Sequence, residues 1–147
     1  MLRSLIAGVA VTLMASSGAL AQSCTGNPVA VQVLGSGAPG FVKDRANTSY
    51  LLWAGNQAKI LVDAGGGAYV RFGQAGAKFP DLSMILVSHL HPDHSSDLPG
   101  VLWSGRNTRN DTLPIAGPSG NATAPAFNDF LTRLFDPKSG SWDRTGG

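Results

Sequence analysis

From Ser83 to Val87 the chain is almost continuously apolar, and Ser88-His89-Leu90-His91-Pro92-Asp93-His94-Ser95 follows at once. The apolar run predicts a fully buried strand that delivers the next residues at its C-terminal end, where open α/β sheets place their ligands. All three histidines of the chain fall within those next residues. Imidazole and carboxylate are the ligands a borderline cation such as Zn²⁺ takes, and the i, i+2 spacing of His89 and His91 sets both rings on one side of an extended backbone. Asp93 and His94 offer a second pair with its own orientation. Pro92 has no N–H to donate and holds His91 extended, which predicts a stiff loop here rather than a regular helix. Two other readings compete, a polar loop that happens to be His-rich and a copper- or nickel-sequestering tract. The position at a strand end, away from any low-complexity tail, favours a catalytic metal site.

The rest of the chain supplies a sheet and its helices. Val29 to Leu34 reads as a strand ending at Gly35-Ser36-Gly37, where the choice lies between a tight turn and a close approach to phosphate or substrate. Ser49–Trp53 and Lys59–Val62 are two strands split by Ala54-Gly55-Asn56, a hairpin signal. The second ends in Asp63-Ala64-Gly65-Gly66-Gly67, where an aspartate can accept backbone N–H groups and brace a neighbouring loop, or simply form an Asx-turn. A short helix is expected from Ala68 to Ala77, although Gly73 and Gly76 weaken it. Ser95, Ser96 and Asp97 are candidate N-caps for a helix through Leu98, Val101 and Trp103, with Pro99 tolerated in its first turn. Leu113–Ala116 reads as a short strand and Gly117-Pro118-Ser119-Gly120 as a loop. Phe127, Phe130, Leu131, Leu134 and Phe135 then give a helical stripe within Thr123–Phe135 that belongs to the core.

The 147-residue chain has room for one domain at most. Arg3, the apolar stretch Leu5–Met14 and Ala19-Leu20-Ala21 form a secretory signal peptide over residues 1–21, too short to span a membrane. The expected location is therefore the periplasm or outside the cell, with no membrane attachment after cleavage. Residues 22–136 form the domain, and the Gly-, Ser- and Pro-rich stretch 137–147 is expected as a flexible tail. Cys24 is the only cysteine, which excludes an internal disulfide. Net charge is only +2, and Lys43, Arg45, Lys59, Arg71, Lys78, Arg106, Arg109, Arg133, Lys138 and Arg144 are scattered. No stripe suited to a nucleic-acid backbone emerges. All the acids are aspartate, so any carboxylate ligand or general base must be one.

HLHPDH at 89–94, the following Ser-Ser-Asp-Leu-Pro-Gly, the upstream LVDAGGG, the Leu-Gly-Ser-Gly opening and the later Gly-Pro-Ser-Gly together resemble the first half of a metallo-β-lactamase-fold hydrolase, in its ribonuclease Z-like branch. The resemblance runs from about Val31 to about Phe135. It implies an α/β fold: the N-terminal half of an αββα sandwich, a mixed β-sheet with flanking helices, whose inner sheet face lacks its partner half. It also implies two zinc ions per complete site, His89 and His91 holding one and Asp93 and His94 the other. Asp63 supports the metal loop without being a ligand. A hydroxide between the ions, available near neutral pH because the metal lowers the pKa of its bound water to about 7, would attack an ester or phosphoryl centre. Asp93 would also manage the proton of that water. Another His, a bridging Asp and a final His are expected from a second half, and no histidine follows His94. The expectation is therefore a truncated exported hydrolase, inactive alone, whose complete form cleaves a small-molecule phosphodiester, sulfate or other ester, with no nucleic-acid partner. The alternative is a non-catalytic periplasmic fragment that binds metal or a partner through the same loop.

Overall fold

The computed structural model describes residues 28–142. The expected signal peptide, Cys24 and the last five residues of the expected tail lie outside the described residues.

Three strands open the fold, Val29–Gly35 (β1), Ser49–Ala54 (β2) and Gln57–Val62 (β3), each antiparallel to the one before. The β2–β3 turn is tight because Gly55 takes φ +57°, a conformation that costs glycine little. Met84–Leu86 (β4) joins parallel to β3, and Ile115–Ala116 (β5) parallel to β4, so the sheet is mixed and its order is β1-β2-β3-β4-β5. Between them lie Ala68–Gln74 (α1), a 3₁₀ turn at Phe79–Asp81, Pro92–Ser95 (α2) and Leu98–Gly105 (α3), and Phe127–Phe135 (α4) follows β5.

Register assigns each side chain its face. Gln32, Leu51, Leu61, Ile85 and Ile115 form one cross-strand row, and its middle three are fully buried. Ala68 of α1, Leu98 and Val101 of α3 and Phe127 of α4 belong to the same core. Each fully buried Leu or Ile contributes roughly 1.5–3 kcal/mol, so this row and the helices over it hold the layer together. The adjacent rows, Val31-Leu52-Ile60-Met84 and Val33-Tyr50-Val62-Leu86, point the other way. Among the described residues no side chain of that second face is buried, and Val29, Val31 and Val33 are about 60% exposed. This sheet face is therefore open and largely apolar.

Two local expectations change. The residues after His91 do not form an irregular loop: Pro92 opens the one-turn helix α2, which carries Asp93 and His94. Proline suits a first helical position, where its missing N–H has no intrahelical partner to lose. The fourth helix begins at Phe127 rather than near Thr123, because the Asn121 side chain accepts from the Thr123 and Ala124 amides and holds a turn there. Beyond α4, the amides of Gly140, Ser141 and Trp142 bond back to the carbonyls of Asp136, Arg133 and Leu134.

Candidate metal centre

β3 and β4 run parallel and end side by side, which brings Asp63 and Ser88 together. Asp63 bonds its N–H to the Leu86 carbonyl and then turns into the left-handed region, φ +57°, which aspartate tolerates better than most residues. The turn drives its carboxylate under the histidine segment. Oδ1 accepts the Ser88 amide at 2.7 Å, and Oδ2 accepts the Ser88 hydroxyl at 2.8 Å and His94 Nδ1 at 2.8 Å. At 3% exposure the carboxylate is deeply seated, and these are bracing contacts, consistent with a support rather than a ligand.

The four candidate ligands gather in the space above. His91 is extended (φ −64°, ψ 145°), as a residue before proline should be, and its Nδ1 lies 3.2 Å from His89 Nε2. With Nδ1 of His94 engaged by Asp63, its Nε2 faces Asp93 Oδ2 at 3.4 Å. The His89 ring stands 4.7 Å from that of His91 and 4.1 Å from that of His94, which links the two pairs. Two ligands about 2.1 Å from a tetrahedral zinc ion stand about 3.4 Å apart. Both donor pairs, His89 with His91 and Asp93 with His94, have close to that separation, so the donor set fits zinc two ligands at a time. Among the described residues no three His, Cys, Asp or Glu side chains are arranged to hold one ion. Among the described residues the loop is thus not a single four-ligand cage but two two-ligand edges.

The glycine-rich turn after Asp63 positions these pairs from below. Ala64 donates to the His94 carbonyl and accepts from the Asp97 amide, which locks the turn to α2 at both ends. Gly65 makes this approach possible, since a β-carbon there would sit 2.0 Å from the Asp93 carbonyl oxygen. Asn47 closes the far side, its amide donating to the Gly66 carbonyl and its side chain to the Ala38 carbonyl. Asp97 does not cap its own helix. Its Oδ2 accepts the amides of Gly67 and Tyr69 at 2.8 and 3.0 Å, so it caps the start of α1 across space. Ser95, another expected cap, instead donates to the Leu90 and His91 carbonyls and stiffens the ligand segment. The side-chain chemistry of Asp97 was visible in the sequence, but nothing local names a partner 30 residues away.

Other candidate segments prove to be scaffold. Gly37 donates to the Ala46 carbonyl, which makes Gly35-Ser36-Gly37 a packed turn, and the Gly117 loop packs on the Phe127 ring. A cavity of about 380 Å³ opens between α1 and α3, lined by Tyr69, Phe72, Phe79, Val101 and neighbours, and no histidine reaches it. The candidate metal ligands therefore lie at the strand ends and not in that cavity.

Residues 29–115 match the family model described as Anti-Pycsar protein Apyc1. The chain belongs to the Apyc1 family. The ribonuclease Z of Mycobacterium sp. (strain KMS) is 40% identical over 97 residues, 64% of this chain and 34% of that protein. That of Mycobacterium avium (strain 104) is 41% identical over 98 residues, with 64% and 35% covered. Human tRNase Z, short form, superposes with TM-score 0.58 at 28% identity over 70% of this chain and 38% of its own. The metallo-β-lactamase-fold protein YhfI of Bacillus subtilis gives the same TM-score at 24% identity, over 75% and 43%. This Apyc1-family chain thus has the metallo-β-lactamase fold and is similar in sequence to ribonuclease Z. It spans about a third of the length of the curated relatives it matches. One expectation is overturned. A small-molecule ester substrate with no nucleic-acid partner does not agree with relatives that are ribonucleases and a tRNase. The scattered basic residues misled because they report only on this third of the relatives' length, whereas backbone contacts can come from any part of a protein.

Proposed function

We propose that this chain supplies His89, His91, Asp93 and His94 to a two-zinc hydrolytic centre that cleaves a phosphodiester in RNA. The observation that carries the reading is the pair of donor edges, His89 Nε2 with His91 Nδ1 and His94 Nε2 with Asp93 Oδ2, separated by 3.2 and 3.4 Å. Support for RNA comes from the named activity of the ribonuclease Z relatives. Zinc, when bound, supplies Lewis acidity toward a phosphoryl oxygen and acidifies water. The protein's part is orientation and proton handling. Asp63 holds His94 by Nδ1 and keeps its Nε2 directed at the site. Asp93 is 7% exposed, and its carboxylate would also take a proton from the attacking water. The apolar stretch before Ala19-Leu20-Ala21 supports an exported protein, periplasmic or secreted. Fractionation of cells making the tagged full-length chain checks that part.

A second reading, metal binding without turnover, draws on the lack of any three-ligand group among the described residues. One experiment separates the two. Metal-free chain is titrated with Zn²⁺, and cleavage of a tRNA transcript is followed for this chain and for the whole reading frame of its gene. The hydrolase reading expects uptake abolished by His89→Ala with His94→Ala, and cleavage by the whole reading frame that the same substitutions remove. Uptake with no cleavage by either form supports the second reading. Unchanged uptake in the double variant defeats both.

A further inference from the structure

The hydrogen bonds around Ser88 decide which nitrogen of His89 is protonated. An ionised carboxylate only accepts, so the single hydroxyl proton of Ser88 is committed to Asp63 Oδ2 at 2.8 Å. His89 Nδ1 stands 3.1 Å from the same hydroxyl oxygen. With its proton already directed at Asp63, that oxygen can meet Nδ1 only as an acceptor, and Nδ1 must therefore carry the imidazole proton. His94 follows the same rule directly, since its Nδ1 lies 2.8 Å from Asp63 Oδ2 and must donate to it. The 3.3 Å approach of His94 Nδ1 to the Ser88 hydroxyl is the longer branch of that same N–H.

We propose that Ser88 is a positioning residue that relays the acceptor character of Asp63 to His89, so that one buried carboxylate fixes the tautomer of two imidazoles, His94 directly and His89 through the serine. Both rings are left with the lone pair on Nε2. In His89 that is the atom facing His91 Nδ1, and in His94 the atom facing Asp93 Oδ2. The relay stands on hydrogen bonds alone, but its value to the site rests on the two-zinc reading above. Without it, His89 must pay a tautomer change before Nε2 can act as a ligand. The Ser88 amide is held separately by Asp63 Oδ1, so removal of the hydroxyl leaves the backbone anchored.

The test uses the full chain, metal-free and labelled with ¹⁵N in its imidazoles, at a pH above the histidine titration range. Correlation of ring nitrogens with ring C–H protons reports each tautomer. The expected result is Nδ1–H for both His89 and His94 in the unsubstituted chain. Ser88→Ala should release His89 into a mixture with Nε2–H while His94 stays fixed, and Ser88→Thr should restore it. Cobalt(II) affinity, read from its visible absorption, should fall about 10- to 100-fold in Ser88→Ala and recover in Ser88→Thr. Nε2–H at His89 in the unsubstituted chain overturns the proposal without any variant. So does a Ser88→Ala protein whose His89 keeps Nδ1–H. Failure of the unsubstituted chain to take up cobalt removes the metal reading, whereas the relay is still decided by the metal-free spectra.

Discussion

Replacing Gly65 with alanine places a methyl group where the turn beneath the histidines has no room for it. The new β-carbon would lie 2.0 Å from the Asp93 carbonyl oxygen, 2.7 Å from the Asp93 carbonyl carbon and 2.7 Å from Asn47 Cβ. Two of these three atoms are backbone, so no side-chain rotation relieves the contact, and the turn and α2 must separate by more than an ångström. Overpacking costs typically about 1–3 kcal/mol. Separation also loosens three hydrogen bonds at this seam, Ala64 to the His94 carbonyl, Asp97 to the Ala64 carbonyl and Gly65 to the Thr48 carbonyl, each worth about 1 kcal/mol net. Partial loss of these brings the expected destabilisation to about 3–4 kcal/mol, a large part of the total stability of a domain this size. Gly73→Ala is the control. It lies in α1 with nothing within 4 Å of the new β-carbon, and alanine in a helix should add about 0.5–1 kcal/mol. Urea unfolding of both variants, compared at equal m-value, measures the difference. Equal midpoints for Gly65→Ala and the unsubstituted chain would refute the claim that this turn and the ligand helix touch backbone to backbone.

Asp63→Asn keeps the tolerance for a left-handed backbone but turns one acceptor oxygen into a donor. It should cost about 2–3 kcal/mol in urea unfolding and lower Zn²⁺ affinity about 10- to 100-fold by calorimetry. Asp97→Ala removes the acceptor for the Gly67 and Tyr69 amides, and should cost about 1–2 kcal/mol while speeding hydrogen exchange at those two amides. Two exposed carboxyls give a pH dependence. The Arg109 hydrogen bond beside Asp111 and the Ser139 hydrogen bond beside Asp136 hold both below the usual carboxylate range. Since the folded value is the lower one, their stabilisation is present above the ordinary carboxylate pKa and is lost as pH falls through the folded value. Asp136→Ala should therefore flatten the acid side of the curve of unfolding midpoint against pH and leave its neutral side parallel.

The fold was legible where one face of an element had to be buried. Leu51 and Leu61 face the core because the hairpin alternates in and out, and Ile85 because β4 sits between two parallel neighbours. Phe127 and Phe130 stack, with ring centroids 6.2 Å apart, at the start of the helix their spacing predicts. What escaped were ends and caps. A proline reads equally as a loop stiffener and as a first helical residue, and only the bonds from the His94 and Ser96 amides back to the His91 and Pro92 carbonyls decide between them. Asp97 looked like a local cap, yet its carboxylate serves a helix that starts 29 residues earlier. Local chemistry names what a side chain can donate or accept, whereas the partner is set by which strand ends the sheet brings together.

The ligand pairs were readable in the sequence, and so was Asp63 as a brace for their loop, but not which ring it orients. Proximity in sequence guarantees that His89, His91, Asp93 and His94 stay near one another in almost any fold, so the cluster announces itself. It does not orient a ring. Orientation comes from Asp63, which reaches the histidines only because β3 and β4 end in register and because its own backbone takes φ +57°. A left-handed residue that is not glycine costs about 1–2 kcal/mol, and the three hydrogen bonds its carboxylate accepts more than offset that. Glycine at position 63 would relieve the backbone and forfeit all three bonds. If Asp63→Gly were as stable as the unsubstituted chain, the carboxylate would not be holding the site together, and the histidines would owe their geometry to the segment that carries them.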